Sequence, residues 1–228
     1  MTSRAIVNAN SCNGGRTPSL QLILLRHPQA RLHGRFCGHS DPQLTEEGRA
    51  ALPAIISRFG VEPPSAIWCS DLVRAKETAA KIAERFGVLL TPSVALREMN
   101  FGVWEGLSWE EVEAQFPEDA RAWAECFPHH RPPGGESFLD FQSRVIAELR
   151  RVSAGTEHGY ALIVTHAGFI RVATAWVLGI PEDRISRIAV DHGAAVALRR
   201  IGEQWSFAVP STSEFRLAAI TGAQEERA

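Results

Sequence analysis

The run Leu22-Ile23-Leu24-Leu25, followed at once by Arg26-His27, constrains this chain more than any other feature. Four consecutive apolar residues read as a buried strand. A cation and an imidazole at its end stand where open α/β sheets bind ligands. The arrangement returns twice. Residues 161–165 (ALIVT) lead into His166-Ala167-Gly168, and Ala66-Ile67-Trp68-Cys69 ends in Ser70-Asp71, with Arg74 one turn into the helix that follows. Three predicted strand ends thus carry two histidines and two arginines.

Helical patterns fill the intervals. After a loop over 28–44 with Gly34, Gly38, Asp41 and Pro42 as turn residues, Thr45 reads as an N-cap, and Glu46 and Glu47 suit the positive start of a helix. Leu52, Ile55, Ile56 and Phe59 then give that helix one apolar face, and Pro53 should kink it. A second helix is expected over about 72–86, with Ala75, Ala79, Ile82 and Phe86 inward. A third helical region starts at Ser108, breaks at Pro117 and ends by Pro128; a fourth follows Ser137 as N-cap, with Phe138, Phe141, Val145, Leu149 and Val152 on its inner face. A helix over 168–178, a short strand at 88–90 and two late strands at about 187–199 and 205–209 complete the pattern, and 96–106 reads as loop. Alternating strands and helices predict an α/β fold: three layers, with a mainly parallel central sheet flanked by helices on both faces.

The chain has 228 residues, 45% of them hydrophobic and 22% charged, which suffices for one buried core of this kind. No repeat or linker divides it. Residues 20–221 are expected to form a single domain between a disordered leader (1–19) and a flexible tail (222–228). A net charge of −2, from 24 basic and 26 acidic residues, gives no global attraction to nucleic acid or an anionic membrane. No apolar stretch approaches the ~20 residues that span a bilayer, and residues 1–19 lack the apolar core of a secretion signal. Cys12, Cys37, Cys69 and Cys126 are scattered, as expected of reduced thiols in a cytoplasmic protein. Cys126, His129 and His130 have no second pair at metal-site spacing, so neither metal nor cofactor is expected.

The strand-end residues fit one chemistry. Guanidinium forks match the oxygens of a phosphate monoester, and Arg26 and Arg74 supply two. A helix start after His166 adds backbone N–H groups and a favourable dipole. Neutral imidazole, with an ordinary pKa of ~6.5, can attack phosphorus at pH 7. His27, on the strand end beside Arg26, is the candidate nucleophile, and His166 the partner that donates to the transferring phosphoryl oxygens. An alkoxide leaving group also needs a proton. Glu98, Glu105, Asp41 and Glu136 could each provide it, and spacing does not choose among them.

The segments LLRHP, GHSDPQLTEEGRAAL, CSDLVRAKETA, LREMNFGVWEG, PPGGES and IVTHAGFIR occur in the order seen in the histidine phosphatase (phosphoglycerate mutase-like) superfamily, which the chain resembles over residues 21 to about 180. The resemblance implies a phosphorylated histidine at His27, phosphate-binding arginines at Arg26 and Arg74, a second histidine at His166 and a proton donor at Glu98. Two departures stand out. Pro28 replaces the family's usual glycine and removes an N–H that could face phosphate. The loop after it is shorter than in the mutases and lacks an asparagine ligand, for which Arg31 or His33 could substitute. These cues resemble the α-ribazole phosphatase branch.

The expected protein is a metal-independent phosphomonoesterase acting on a small phosphorylated metabolite, α-ribazole 5′-phosphate or a similar monoester, as a monomer or homodimer without nucleic-acid or membrane partners. A phosphoglycerate mutase and a catalytically silent phospholigand-binding module are the alternatives. His39, His158 and His192 are assigned no role. Trp68, Trp109, Trp123 and Trp176 read as packing, while Trp104 could wall the substrate pocket.

Overall fold

The computed structural model describes residues 19–156 and 159–208. Most of the expected leader, the tail, His158 and residues 209–221 lie outside that span. Within it, one six-stranded sheet carries the fold, in the order β3-β2-β4-β1-β5-β6. Its strands are β1 (Ser19–Arg26), β2 (Ala66–Ser70), β3 (Leu90–Ser93), β4 (Tyr160–Thr165), β5 (Ala195–Ile201) and β6 (Gln204–Ala208). The pairs β1–β4, β4–β2 and β2–β3 are parallel; β5 and β6 extend the sheet antiparallel beyond β1.

Helices α1 (Glu46–Ser57) and α2 (Val73–Phe86) cover one face, and α5 (Phe138–Ala154) and α6 (Ala167–Leu178) the other. The period-two pleat of a strand explains how one apolar run serves both. Leu22 and Leu24 of β1, with Ala161 and Ile163 of β4, pack on Val145, Leu149, Phe169 and Ile170. Their neighbours Ile23, Leu25, Leu162 and Val164 join Ile55, Ala75, Ala79 and Ile82 on the opposite face. Every residue of β4 is buried, as a central parallel strand requires.

Local signals account for the helix ends. The Thr45 hydroxyl accepts from Gly48 N–H, and α1 runs as one element through Pro53. Ser137 forms a capping box with Asp140 at the start of α5. Pro117 takes the first position of α4 (Pro117–Cys126), directly after α3 (Trp109–Gln115).

Three expectations need correction. The strand placed near 88–90 lies at Leu90–Ser93, because Gly87 (φ 65°) caps α2 in the left-handed conformation and the pairing with β2 begins at Leu90. The long strand over 187–199 is instead a 3-10 turn at Glu182–Arg187, a turn through Gly193 (φ 73°) and then β5. Trp104 does not wall a pocket. It is fully buried, centring a small lobe with Val112 and Ala120 against Phe36, Trp109 and Trp123.

No helix among the described residues is long and apolar enough to cross a membrane. His130 lies 3.5 Å from Asp119, and no cluster of three or more metal-ligating side chains occurs among the described residues.

Candidate active site

The parallel order β2-β4-β1 aligns three C-terminal strand ends on one edge of the sheet. Arg26 is in register with Thr165, and His27 N–H donates to Thr165 O (3.1 Å), which sets His27 and His166 side by side. Their ring centroids are 5.1 Å apart in an edge-to-face arrangement. Arg74 reaches them from α2. Its Nε–H donates to His27 Nε2 (3.2 Å), and its terminal nitrogens donate to Ser40 O (2.7 Å), Gly38 O (3.0 Å) and Cys37 O (3.2 Å). Arg26 donates to Val190 O (2.6 Å) and stands 2.9 Å from His192 Nε2. The four predicted side chains therefore surround one hollow of about 230 Å³.

His27 Nδ1 lies 2.6 Å from Pro28 O. A carbonyl only accepts, so Nδ1 carries the proton and Nε2 presents its lone pair to the hollow. Proline at position 28 thus leaves a carbonyl that fixes the tautomer. Arg26 Nε and both ring nitrogens of His166 are buried without a hydrogen-bond partner among the described residues. Buried polar groups left unpaired cost about 1–3 kcal/mol each. The oxygens of a bound oxyanion would accept from Arg26 Nε–H and from the one ring N–H that a neutral His166 carries.

Of the four carboxylates that chemistry left open, three are committed elsewhere. Glu105 accepts from the N–H groups of Gly38, His39, Ser40 and Phe101, Asp41 accepts from Val73 N–H at the start of α2, and Glu136 pairs with Arg144. Burial alone would raise the Glu105 pKa, but those backbone donors outweigh it and hold it below the usual value. Glu98 is the one that lines the hollow. Its carboxylate accepts from Met99 N–H (3.0 Å) and Gly168 N–H (2.8 Å), so the first turn of α6 holds Glu98 with an amide that the sequence had offered to an external anion. Arg97 is bound to Asp71. The chain around Glu98 is fixed by Arg144, which donates to Ala95 O, Arg97 O and Glu98 O, and by Thr165 Oγ1, which donates to Leu96 O.

Arg31 and His33 line the mouth of the hollow as exposed side chains. Three residues that sequence reasoning left out also belong here. Arg171 lines the hollow from α6, its Nε bound to Ile188 O; its place one turn beyond His166 mirrors that of Arg74 after Ser70. Arg144 carries no local signal. His192 sits in the turn before β5, 6.1 Å from the His27 ring, where Arg58 holds the backbone through Gly193 O.

Burial, followed by the Arg74 cation, holds the His27 pKa well below its usual value. His166 is depressed likewise, by burial and then by His27, Arg74 and Arg26. Partial burial and then Arg26 push His192 down to about 4. Depressed imidazole pKa values have a defined sign in stability. Between the folded values and ~6.5 the unfolded chain binds more protons, so stability is full above ~6.5 and is lost as pH falls below it. The two fully buried rings are expected to give up to about 1.4 kcal/mol per pH unit each, with a smaller contribution from the exposed His192. Urea unfolding between pH 7 and 5 measures this slope, and a flat profile there would contradict it.

Comparison with known proteins places this geometry. The family model for the histidine phosphatase superfamily (branch 1) matches residues 22–211. The chain is 35% identical over 173 residues to glucosyl-3-phosphoglycerate phosphatase of Mycobacterium tuberculosis, a match covering 71% of this chain and 76% of that protein. It is 28% identical over 183 residues to adenosylcobalamin/alpha-ribazole phosphatase of Escherichia coli, covering 78% and 89%. The crystal structure of the alpha-ribazole phosphatase from Shigella flexneri aligns with a TM-score of 0.78 at 25% identity, over 87% of this chain and 99% of that one.

Proposed function

The chain belongs to the histidine phosphatase superfamily and is a phosphoric monoester hydrolase, and from that premise we propose that it works through a phosphohistidine at His27 without a metal. The observation that carries this reading is the hollow itself, where a buried, neutral imidazole with its Nε2 lone pair inward meets two guanidiniums, a second imidazole and one carboxylate.

In the first step His27 Nε2 bonds to phosphorus as the P–O bond to the alcohol breaks, and Glu98, entering as the acid, protonates the departing oxygen. Arg26, Arg74 and His166 hold the equatorial oxygens, whose charge is best met by fixed donors. To do so Arg74 exchanges its bond to Nε2 for a phosphate oxygen, which frees the lone pair. In the second step water bonds to phosphorus, the N–P bond breaks, and Glu98 accepts the proton. Arg31 and Arg171 add positive charge at the entrance, and His33 adds a further polar side chain there. The substrate is a small phosphorylated metabolite; α-ribazole 5′-phosphate, the notional substrate of one group of relatives, stands beside glucosyl-3-phosphoglycerate, named for another.

Phosphate release from esters with graded leaving groups tests the reading. Glu98→Gln is expected to lower kcat/KM on alkyl phosphates about 100-fold while costing less than about tenfold on p-nitrophenyl phosphate, which leaves without a proton. Gly168→Ala should reproduce this pattern, because a Cβ there would lie 2.1 Å from Glu98 Oε1 and push the carboxylate aside. Equal losses on both substrates would remove Glu98 from the acid role. No release from any monoester would end the hydrolytic mechanism.

A further inference from the structure

A second cavity, of about 550 Å³, opens beside the phosphate hollow, and the two share Glu98, Phe101 and Arg171 in their walls. Beyond that junction the lining changes character. Trp123 of α4, Phe127 directly after it, Phe138 and Phe141 of α5, and Ile185 form the wall, with ring centroids 5.7 Å apart for Trp123–Phe127 and 4.9 Å for Phe127–Phe138. The rim also carries the carboxylates of Glu182 and Asp183.

We propose, resting on the monoesterase reading above, that this cavity seats the alcohol half of the substrate and that this half carries a flat apolar ring. In-line displacement puts the leaving oxygen at Glu98, and Glu98 stands where the two cavities meet, so the alcohol leads from the hollow into the second cavity. Its volume lies within the range of small-molecule sites, and its walls are of the mostly aromatic and aliphatic kind that such sites use. The aromatic wall offers at most an indole N–H, so a polyhydroxylated sugar lying against it would lose water and find partners only at Arg171, Glu182, Asp183 and Ser186. The carboxylates of Glu98, Glu182 and Asp183 outnumber Arg171, the one cation among the described residues of the lining, so an anionic alcohol such as a glycerate is disfavoured. A neutral or cationic aromatic ring meets neither obstacle, and it gains offset and edge contacts with Trp123 and Phe127.

Four primary alkyl phosphates test this on the full chain: 2-naphthylmethyl, ethyl, glycerol 3-phosphate and glucose 6-phosphate. All lose an alkoxide, so the demand on the acid is similar and the alcohol alone varies. Burying one fused ring is expected to raise kcat/KM for the naphthylmethyl ester roughly 50-fold over the ethyl ester, with glucose 6-phosphate no better than ethyl. The naphthylmethyl-to-ethyl ratio should fall at least about fivefold in Trp123→Ala, which removes the wall, and in Ala124→Trp, which fills the cavity from an exposed position and guards against a folding defect in the first variant.

A ratio near one in the unmodified protein, with phosphate released from all four esters, would overturn the ring assignment while leaving the monoesterase reading intact. No release from any ester would instead strike that reading. A high ratio unaffected by either variant would place the ring elsewhere. Preference for glucose 6-phosphate would make this a sugar site, and a change of oligomeric state on Ala124→Trp without a change of ratio would make the face an interface between copies of the chain. Each of these last outcomes also overturns the proposal.

Discussion

His27→Ala is expected to lower kcat/KM at least about 10⁴-fold on every monoester, because it removes the proposed nucleophile, on which both chemical steps would depend. The second buried imidazole is not placed to take over. His166 is equally buried, but its ring lies beside His27, on the strand end farther from Arg26, and the tautomer-fixing carbonyl belongs to Pro28. The fold should survive, since the imidazole makes one bond to its own neighbour and one to Arg74. Quenching turnover of a ³²P-labelled ester is expected to leave label on the parent protein that is stable to alkali and lost in acid, and none on His27→Ala. Label retained by the variant, or activity above about 1% of the parent with an intact fold, would move the nucleophile elsewhere.

Arg74→Ala should be the most damaging change to the molecule as a whole. The side chain is 1% exposed and does two jobs. Toward the hollow it offers its Nε–H to phosphate, and the loss of one such preorganised donor costs about 10²–10³ in rate. Behind it, three carbonyls of the 37–40 loop depend on its terminal nitrogens. Leaving these buried without donors is expected to destabilise the fold by about 3 kcal/mol or more. Arg74→Lys restores the charge but neither the planar fork nor the three carbonyl contacts, so it should recover less than about a tenth of the lost activity. Inhibition by inorganic phosphate and urea unfolding separate the two roles. Wild-type behaviour of the lysine variant in both would show that charge alone is needed.

Much of this architecture was legible in the sequence because its signals are local. A four-residue apolar run, a Thr or Ser before a charged first turn and a glycine after a periodic stretch each report on a few neighbouring residues. That is why β1, β4, α1, α2 and α5 appear close to where they were expected. Ordering the strands depends on crossovers, and no residue of β1 announces that it lies between β4 and β5. The clustering of residues 26, 27, 74 and 166 followed from one structural argument, that parallel strands end on the same edge. Glu98 came from resemblance alone. The structure supplies its physical account in the backbone amides that bind its carboxylate and in Arg144, 46 residues away, which grips its carbonyl. His192 escaped notice because it lies in a turn without periodicity, where only tertiary contact with Arg26 gives it meaning. Trp104 misled for the converse reason: an aromatic beside a site residue in sequence points away from it, into its own lobe.

His27, His166, Arg26 and Arg74 come from the sheet edge and the start of α2, whereas Phe101, Trp123 and Phe127 come, like Glu98, from the long excursion between β3 and α5. Phosphate capture and alcohol selection are thereby written on separate stretches of polypeptide, with Glu98 at the head of the second. Exchanging the part of the excursion that follows Glu98 for one of different shape could retarget the enzyme to another alcohol while the phosphate-holding end and the acid stay in place.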